Sequence, residues 1–414
     1  MKFAKLLKFS ILLFMLLYLN SCRTEMNLLT VPTVVVSITM PAEIKDTIQF
    51  ANKTVTLRSQ RLTYTAQTNK DGVAMFKDVV PDIYNIYTSW DLTREDYIAM
   101  ADSINETEVE NRPALISGIQ SKMEIFEEDS IVINALLSVK QNLLISKVYA
   151  AGTLDNNNSL YDADQYIEIF NNSDEVQYLD SIYLALVEGD SPIGFPSSLF
   201  PTTLHARQVY RFPGNGSKFP VLPGKSVVIC NSARNHTVSA VTSIDLQNAD
   251  FEFKGGINLP NNQNVDSMIL VFTSFLPLKE INLQRNGVNS VCLFKTKDDV
   301  TNYPLDPKPG STSNLRYMRF NAIDVFDGVE ILKYRPTGSI DPNSKRLQKF
   351  IDAAFTNISN TSGKNHESSD RKVDTQRSAG TGRVYLRDTN NSQADFVTVT
   401  DPTPKKYDKP LLLQ

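Results

Sequence analysis

The chain has 414 residues, a length that allows two domains which each bury a hydrophobic core. Its formal net charge is −4, with 42 Lys and Arg residues against 46 Asp and Glu, so no broad basic field is available to bind nucleic acid. Three histidines and three cysteines leave few residues for catalysis or for zinc, which argues against a zinc enzyme.

The first residues have the pattern of a bacterial export signal. Three lysines precede an apolar stretch, residues 9–19, that is too short to span a bilayer. Residues 19–22, Leu-Asn-Ser-Cys, resemble the lipobox read by lipoprotein signal peptidase. The resemblance implies a signal peptide over residues 1–21, lipidation of Cys22 and a tether over residues 22–30. An ordinary secretory signal with a chance cysteine is the alternative.

Lipidation of Cys22 predicts an envelope protein held at the outer membrane. Each buried methylene of an acyl chain contributes about 0.8 kcal/mol, so two or three chains make a stable anchor. Surface-exported lipoproteins usually carry several acidic residues after the lipidated cysteine, whereas Glu25 stands alone here. The cell surface and the periplasmic face of the membrane therefore stay open as alternatives.

The first region of the mature chain alternates apolar and polar side chains, which predicts β-strands at residues 33–39, 53–58, 62–68, 73–76 and 83–87. The turn at residues 69–72 ends in Gly72, which can take the positive φ of a tight hairpin. The pattern that resembles the prealbumin-like, or carboxypeptidase-regulatory-like, sandwich consists of Thr68, Asp71, Gly72, Ala74, Phe76, Val79, Pro81 and Tyr84. This resemblance implies a first β-sandwich domain over residues 31–141.

An acidic segment, residues 91–129, interrupts the strand pattern. Its Ala and Met content permits helix but no apolar stripe persists, so a weakly helical insert is predicted. Residues 131–139 are again rich in β-type side chains and are predicted to close the first sandwich. The domain boundary is therefore expected near residue 141.

The second region begins with predicted strands at residues 143–149, 166–170 and 179–184, and a Pro-Gly turn leads into another strand at 225–229. This succession resembles the lamin-tail domain, an immunoglobulin-like sandwich. Residues 382–396 extend the likeness to lamin-tail-like lipoproteins of Bacteroidota that are known as a domain of unknown function. The resemblance implies an all-β chain of two tandem sandwiches, the second over residues 142–414 with long loop insertions. It brings no biochemical activity with it.

Polar stretches at residues 307–314 and 359–381 have few side chains to bury and are predicted as exposed loops. The basic residues near the end of the chain are interleaved with acidic residues and lack alternating aromatic partners, which favours a solvated face over a nucleic-acid site. These basic residues are Arg371, Lys372, Arg377, Arg383 and Arg387.

Candidate reactive residues are sparse. The histidines, His205, His236 and His366, show no metal-ligand spacing and are predicted as surface loop residues. Cys230 and Cys292 lie in apolar runs, where they either form a disulfide or stay as two buried thiols. No Gly-x-Ser-x-Gly motif is present, so the sequence predicts no catalytic residue, no cofactor and no enzyme.

One loop offers oxygen ligands that calcium could use. Its candidates are Asp155, Asn157, Ser159, Asp162, Asp164 and Glu168. An EF-hand is excluded, because Leu160 stands where the loop needs Gly and Tyr166 stands where it needs Glu. A solvated loop built from turn-forming residues is therefore the favoured interpretation, and no metal is predicted.

Two features of the sequence relate to sugars, namely its aromatic residues and a repeated triplet. Carbohydrate binding would draw on Trp90 and on the tyrosines, although Tyr149, Tyr166, Tyr178, Tyr183 and Tyr385 occupy strand positions where packing is the usual role. Separately, the triplet Asp, Ser or Thr, then an aliphatic residue looks like the O-glycosylation signal of Bacteroidota. The hydroxyl residues of its five copies are Thr47, Ser103, Ser130, Ser181 and Ser267.

The sequence thus favours a non-catalytic envelope lipoprotein that binds a ligand, such as a carbohydrate, or docks on an outer-membrane transporter of the TonB-dependent type. A structural or adhesive cell-surface glycoprotein is the alternative, since the same sandwiches and glycosylation triplets suit it. An enzyme such as a nuclease or peptidase would need a catalytic site that the sequence does not reveal.

Overall fold

The structure is a computed structural model that describes residues 29–40, 50–92, 114–139, 141–189, 194–253, 261–275, 280–285, 288–332, 345–359 and 363–408. Cys22, Thr47 and Ser103 lie outside the described residues. Within the described ranges, no helix combines the length and the hydropathy of a membrane span.

Eight strands form the N-terminal part of the described chain. They are β1 (Val31–Thr39), β2 (Thr54–Arg58), β3 (Thr63–Gln67), β4 (Val73–Val79), β5 (Asp82–Asp91), β6 (Ala114–Ile125), β7 (Asp129–Asn134) and β8 (Leu136–Val139). One sheet has the order β4-β1-β7 and the other the order β3-β2-β5-β6-β8. Apolar side chains from both sheets, among them Val34, Leu57 and Tyr84, meet in a shared buried core. Their alternation along each strand follows the period of two that directs every second side chain inward.

At two places in this part the observed strand pairing differs from the one that the sequence predicts. Gly72 has the expected positive φ of 76°, but the flanking strands β3 and β4 lie in different sheets, so the turn crosses between sheets instead of closing a hairpin. The predicted single closing strand at residues 131–139 is split. β7 runs parallel to β1, and the chain then changes sheets at the buried Ala135 so that β8 pairs with β6.

The prediction of a weakly helical insert is wrong for residues 114–125, which form strand β6 beside β5. Three isoleucines, at positions 116, 119 and 125, are buried there, and β-branched side chains suit a strand better than a helix. The acidic residues that suggested a separate insert do not prevent β6 from pairing with β5. Residues 93–113 of the segment lie outside the described residues.

The C-terminal part holds the remaining strands and two short helices, α1 (Thr375–Ser378) and α2 (Ser392–Asp395). The strands are β9 (Leu143–Tyr149), β10 (Thr153–Leu154), β11 (Leu160–Tyr161), β12 (Tyr166–Asn171), β13 (Gln177–Tyr178), β14 (Tyr183–Val187), β15 (Thr203–Arg211), β16 (Pro220–Val221), β17 (Ser226–Cys230), β18 (Phe251–Glu252), β19 (Asp266–Ser267), β20 (Ile269–Thr273), β21 (Asn289–Phe294), β22 (Leu305–Pro307), β23 (Arg316–Asn321), β24 (Val325–Leu332), β25 (Thr356–Asn357), β26 (Ser368–Arg371) and β27 (Phe396–Val399).

Two large sheets build this part. The seven-stranded sheet has the order β19-β18-β17-β12-β9-β26-β27, and the eight-stranded sheet has the order β22-β23-β15-β14-β21-β24-β25 with β20 paired to β15. Ile145 and Ile167 of the first sheet pack with Leu184, Leu293 and Val329 of the second in one buried core. The prediction of an all-β sandwich fold is confirmed. Among the described strands, none of β1–β8 pairs with any of β9–β27, and residue 141 lies between these two sets.

Of the two polar stretches that were predicted as exposed loops, one is exposed and the other contains a buried strand. Residues 307–314 are exposed, as expected, except for Lys308, which is half-buried. Within 359–381, however, residues 368–371 form β26, which lies between β9 and β27 and is buried along its whole length. Its polar sequence, Ser-Ser-Asp-Arg, gave no indication of burial, because the contacts that make burial possible come from distant parts of the chain.

Replacement of Gly118 tests the packing of β6. A Cβ atom at this position would lie 2.4 Å from Ile133 Cγ2 and 3.2 Å from Ala135 Cα, so Gly118→Ala forces neighbouring atoms apart. Overpacking of this kind costs about 1–3 kcal/mol, and we expect that loss in the free energy of unfolding measured by urea denaturation. Gly216→Ala is the control, because no heavy atom lies within 4 Å of its added methyl group. Equal stability of both variants would contradict the packing of β6 against β7.

Candidate functional site

The most unusual chemistry of the described chain lies on β26. Arg371 is 2% exposed, and Asp370 beside it is fully buried. A charge in the protein interior is costly unless a partner and hydrogen bonds compensate for the lost water. The surroundings of these two side chains therefore decide whether the strand serves structure or function.

Arg371 is held by three carboxylates. Its Nη2 lies 2.9 Å from Asp327 Oδ1, and its Nη1 lies 3.3 Å from Asp388 Oδ1 and 3.6 Å from Asp395 Oδ2. Its Nε donates to the carbonyl of Ile145 at 3.0 Å. Because Asp327 is on β24 of the eight-stranded sheet, the ion pair joins the two sheets. The predicted solvated face is thus wrong for Arg371, which is an internal cross-link.

Burial sets the protonation of this cluster. It raises the pKa of Asp327 to about 7, against the opposing charge of Arg371, and it raises the pKa of Asp395 to about 6. Burial acts to lower the pKa of Arg371, but the charges of Asp327, Asp388 and Asp395 outweigh it and leave this pKa raised. One guanidinium thus serves several carboxylates, whose burial favours their protonated forms.

A second buried cation, Lys147 on β9, lies on the other face of the same sheet region. Its Nζ is 3.4 Å from Asp370 Oδ2 and 4.0 Å from Glu168 Oε2, and all three side chains are fully buried. Nζ also donates to the carbonyl of Thr403 at 2.6 Å. Lys406 approaches Asp370 from outside at 3.2 Å. Every charge in this group therefore has an internal partner.

Residues 401–408, here called the C-terminal strap, cover these charges. The backbone N–H of Lys405 donates to Glu168 Oε2 at 2.7 Å, and the hydroxyl of Tyr166 donates to the carbonyl of Pro402. The hydroxyl of Tyr407 donates to the carbonyl of Arg371, and Asp408 accepts the backbone N–H of Ser226 at 2.8 Å. The strap thereby satisfies polar groups on the outer face of the seven-stranded sheet and removes them from solvent.

The histidines are structural residues in this arrangement. The ring of His205 stacks 3.8 Å from that of Phe195, and its Nε2 lies 3.0 Å from Asp306 Oδ2. His236 lies between the carbonyl of Ser232, 2.8 Å from Nε2, and the hydroxyl of Tyr161, 2.7 Å from Nδ1. The prediction of surface positions is wrong for both, since both are buried.

Burial also decides how the histidines titrate. It lowers the pKa of His205 even though Asp306 acts to raise it, and it lowers the pKa of His236 to about 4. His366 is half-buried with its ring edge against Tyr149, and burial lowers its pKa as well. Neutral imidazoles enclosed by aromatic rings and carbonyl groups can pack and accept hydrogen bonds.

The two cysteines of the second region are free thiols. Cys230 is on β17 of the seven-stranded sheet and Cys292 is on β21 of the eight-stranded sheet, and both are fully buried. Burial raises the pKa of each thiol. Of the two alternatives, disulfide or separate buried thiols, the structure has the separate thiols, which lack the thiolate character of a reactive cysteine.

The candidate calcium ligands do not converge. Asp155 Oδ1 accepts the backbone N–H groups of Asn157 and Ser159, each at 2.8 Å, which is a solvated turn. Asp162 pairs with Arg285 at 2.8 Å, while Glu168 is part of the Lys147 group. Across the ranges that the structure describes, no three His, Cys, Asp or Glu side chains are grouped to hold a metal ion.

Asp164 is a separate buried carboxylate. Its Oδ2 accepts the hydroxyl of Tyr149 at 3.0 Å and that of Ser243 at 2.6 Å, whereas Oδ1 has no hydrogen-bond partner among the described residues. Burial raises the pKa of Asp164 to about 6. The carboxylate links β9 and β12 to the loop that carries Ser243.

The remaining basic residues of the C-terminal run lie nearer the surface. The guanidinium carbons of Arg377 and Arg383 are each 4.0 Å from the ring centre of Tyr385, so this run does have an aromatic partner. Arg387 is 3.5 Å from Asp395. Burial lowers the pKa of Lys372 to about 8, and the charges of Arg58 and Arg387 add to the effect. The fold thus fixes the positions of these side chains.

The described glycosylation triplets differ in accessibility. Ser130 on β7 is exposed, and Ser267 on β19 is half-buried. Ser181 is also half-buried, and its hydroxyl donates to the carbonyl of Gly214 at 3.3 Å. Asp180 before it accepts the backbone N–H groups of three residues in the following loop, Gly216, Lys218 and Phe219. Ser130 therefore offers the most accessible hydroxyl of the three.

Sequence reasoning missed a further buried ion pair at the edge of the sandwich. Arg346 Nη1 lies 3.4 Å from Glu330 Oε1, and Arg346 Nε donates to the carbonyl of Glu188 at 2.7 Å. The available signal was Glu330 itself, a charge inside the apolar run Gly-Val-Glu-Ile-Leu of β24. A lone charge among buried apolar neighbours needs an internal partner, which could not be named from the sequence.

Residues 222–403 match the profile of a family described as "Protein of unknown function (DUF4876)". A crystal structure of a DUF4876 family protein from Bacteroides thetaiotaomicron VPI-5482, at 2.50 Å resolution, has a similar fold with a TM-score of 0.58. The two chains are 23% identical over 92% of this chain and 99% of that one. No curated protein matches the sequence. The matched range contains Arg371 together with its three carboxylate partners.

Removal of the Arg371 guanidinium tests its role as a cross-link between the two sheets. Arg371→Met keeps an unbranched side chain but leaves Asp327 and Asp388 buried without their cation, and it leaves Asp395 with Arg387 alone. Breaking a buried ion pair by removing one partner costs about 3–5 kcal/mol, and we expect that loss in the free energy of unfolding.

Arg316→Met is the matched control for Arg371→Met. Arg316 is exposed, and its Nη1 donates to two nearby carbonyls, those of Asn314 and Leu315. Substitution there should change the free energy of unfolding by no more than about 0.5 kcal/mol. If both variants unfold at the same urea concentration, Arg371 does not hold the two sheets together.

The pH dependence of stability tests the burial of Asp164. Its pKa rises on folding from its ordinary value of 3.8 to about 6, so the folded state binds the proton more tightly. The stability contributed by the protonated form is complete below about pH 4 and is lost as the pH rises through about 6. Two pKa units correspond to about 3 kcal/mol.

Asp164→Asn keeps an oxygen that accepts the hydroxyls of Tyr149 and Ser243 but cannot titrate. Relative to the wild type, the variant should therefore gain up to about 3 kcal/mol of stability between about pH 4 and about pH 7.5. Urea denaturation at the two pH values measures this difference. Parallel stability curves for the two proteins would show that Asp164 is not buried as described.

Proposed function

We propose that the protein is a non-catalytic lipoprotein of the cell envelope that binds a ligand or docks on an outer-membrane transporter of the TonB-dependent type. The observation that carries the proposal is the engagement of reactive side chains in internal structure. Arg371, Lys147 and their carboxylate partners are buried, and His205 and His236 are enclosed by aromatic rings and carbonyl groups. Such groups stabilise a scaffold and are not placed to act on a substrate.

The scaffold supports recognition by its surface. Sandwich sheets hold loops and short edge strands in fixed positions, and binding residues in such folds concentrate on those loops. The likeness of the first region to a prealbumin-like sandwich and of the second to a lamin-tail domain supports the same role. Neither family resemblance brings a set of catalytic residues to this sequence.

The proposed location depends on Cys22. The positive start, the short apolar core and the Leu-Asn-Ser-Cys sequence support lipidation and residence at the outer membrane. With its acyl chains in the membrane, a body formed by the sandwiches stays close to membrane proteins and to ligands that reach them. Either face of the membrane is compatible with this proposal.

A structural or adhesive surface glycoprotein is the second candidate. The exposed hydroxyl of Ser130, within an Asp-Ser-Ile triplet on β7, favours it because a glycan needs an accessible acceptor. Glycosylation mapping by mass spectrometry combined with an attachment assay separates the two candidates. Loss of attachment in a Ser130→Ala strain, with ligand capture intact, would favour the adhesive role.

Cys22→Ala tests the membrane anchor. The variant cannot accept acyl chains, so we expect most of the protein to move from the membrane fraction to the soluble fraction and to lose metabolic palmitate label. Cys230→Ala is the control and should change neither readout, because that thiol is buried on β17. Membrane residence and palmitate label that persist in Cys22→Ala would refute lipidation at this cysteine.

Purification of the lipidated protein from solubilised membranes tests the proposed role. A co-purifying outer-membrane barrel or a bound small molecule is the expected result. Hydrolysis of DNA or peptides that follows the protein through purification would contradict a non-catalytic function.

A further inference from the structure

Arg377, Tyr385 and Arg383 form a stack at the edge of the C-terminal part, beside the turn that contains Asn172–Asp174. Each guanidinium carbon lies 4.0 Å from the ring centre, which places the two cations on the two faces of one phenol ring. Arg377 Nη2 donates to the carbonyl of Asn172 at 3.3 Å, and Arg383 Nη2 donates to that of Ser173 at 2.7 Å. Both side chains are therefore fixed before any ligand arrives, which lowers the entropic cost of binding.

The stack holds more positive charge than its own ion pairs compensate. Asp174, whose side chain is 73% exposed, accepts the Tyr385 hydroxyl and lies 3.4 Å from Arg383 Nη1. Arg377 has no ion pair among the described residues. Asp374 is nearby, but its carboxylate accepts the backbone N–H of Arg377 as the cap of α1. The half-buried Arg377 thus presents guanidinium donors that match a carboxylate.

We propose that this surface binds the carboxylate of an acidic oligosaccharide, with Arg377 as its main contact. The proposal deepens the ligand-binding function proposed above and rests on it. Asp174 is the reason to favour a sugar acid over an acidic peptide. An exposed carboxylate accepts hydrogen bonds from sugar hydroxyls, which offset its repulsion of the sugar's own carboxylate, whereas the acidic side chains of a peptide carry no hydroxyl beside their carboxylates.

An apolar strip continues the surface from the stack. Tyr178 of β13 pairs with Pro220 of β16, and Tyr178 and Leu222 are 43% and 55% exposed. The turn after Leu222 reaches the stack, because a Cβ on Gly224 would lie 3.7 Å from Arg383 Cδ. The phenol ring of Tyr178 combines an apolar face with a polar hydroxyl, as the C–H face and hydroxyls of a sugar require.

The separation between the stack and Tyr178 is within reach of a short oligosaccharide. Tyr178 follows Asp174 by four residues, and an extended chain covers at most about 14 Å over that separation. Beside the stack, Gly380 and Gly382 have no heavy atom within 4 Å of where a Cβ would stand, so this side of the surface is open. A uronic-acid oligosaccharide can therefore reach from the arginine stack along the strip.

Isothermal titration calorimetry of the full mature chain with trigalacturonate tests the proposal. Maltotriose, inorganic phosphate and a capped Asp-Leu-Asp-Leu peptide serve as comparison probes. We expect trigalacturonate to bind and the three comparison probes to bind at least about tenfold more weakly, since none of them combines carboxylates with sugar hydroxyls.

Substitutions assign the site. Arg377→Gln should weaken trigalacturonate binding at least about tenfold, as expected for loss of a charge-assisted hydrogen-bond pair, and Tyr178→Ser should weaken it several-fold. Arg316→Gln, which changes an exposed arginine elsewhere, should leave binding unchanged. Unchanged thermal unfolding of Arg377→Gln shows that its effect on binding is local. If this variant unfolds at lower temperature, Arg377→Lys, which keeps the charge but not the fork, replaces it.

Four results would overturn the proposal. The first is the absence of a heat of binding with trigalacturonate, and the second is equal binding of phosphate, which would indicate an adventitious ion only. The third is tighter binding of the peptide than of trigalacturonate, and the fourth is unchanged affinity in Arg377→Gln. The proposed function is judged separately by membrane co-purification. If the wild type captures an outer-membrane barrel but binds no trigalacturonate, the sugar site fails and the docking function stands.

Discussion

The ion pair between Arg371 and Asp327 is the interaction on which the second sandwich depends. It connects a polar strand of the seven-stranded sheet to β24 of the eight-stranded sheet, through a layer that is otherwise hydrophobic. A buried guanidinium of this kind needs several acceptors, and Asp388 and Asp395 supply them from the segment that follows β26. The C-terminal strap covers the charges on the other face. Polar residues near the end of the chain are thus interior residues.

Regular alternation is what made much of the fold predictable. β1, β2, β9 and β12 lie where the sequence predicted strands, because hydrophobic side chains at every second position or in continuous runs identify half-buried and buried strands. β26 has no such pattern. Its burial depends on partners 44 residues before Arg371 and 17 residues after it, and no local property of Ser-Ser-Asp-Arg reports those contacts. β6 was not predicted from the sequence, because the surrounding acidic residues led the segment with its isoleucines to be interpreted as an acidic insert.

Contacts between distant residues also limited the prediction of the candidate sites. The sequence left two alternatives for the cysteines, and the structure has the separate buried thiols. The Asp155 turn is solvated as the sequence predicted, but Asp164 and Glu168, which were assigned to the same loop, are buried. The histidines were misplaced because burial in an aromatic enclosure depends on residues such as Phe195 and Asp306 that are distant in sequence from the rings they contact. The stack of Arg377, Arg383 and Tyr385 had a local sequence signal, because both arginines lie within eight residues of the tyrosine. The geometry of the stack is defined only by the fold.

The order of strands in the seven-stranded sheet has a consequence for biogenesis. β9 begins the second sandwich at residue 143, yet its neighbour β26 begins at residue 368, and the strap that completes the sheet follows later still. The position beside β9 in the sheet stays vacant until residues 368–371 have emerged. Pairing across so many residues slows folding. Until the last strands arrive, β9 exposes an unpaired edge, and a holding chaperone would protect this interval from aggregation.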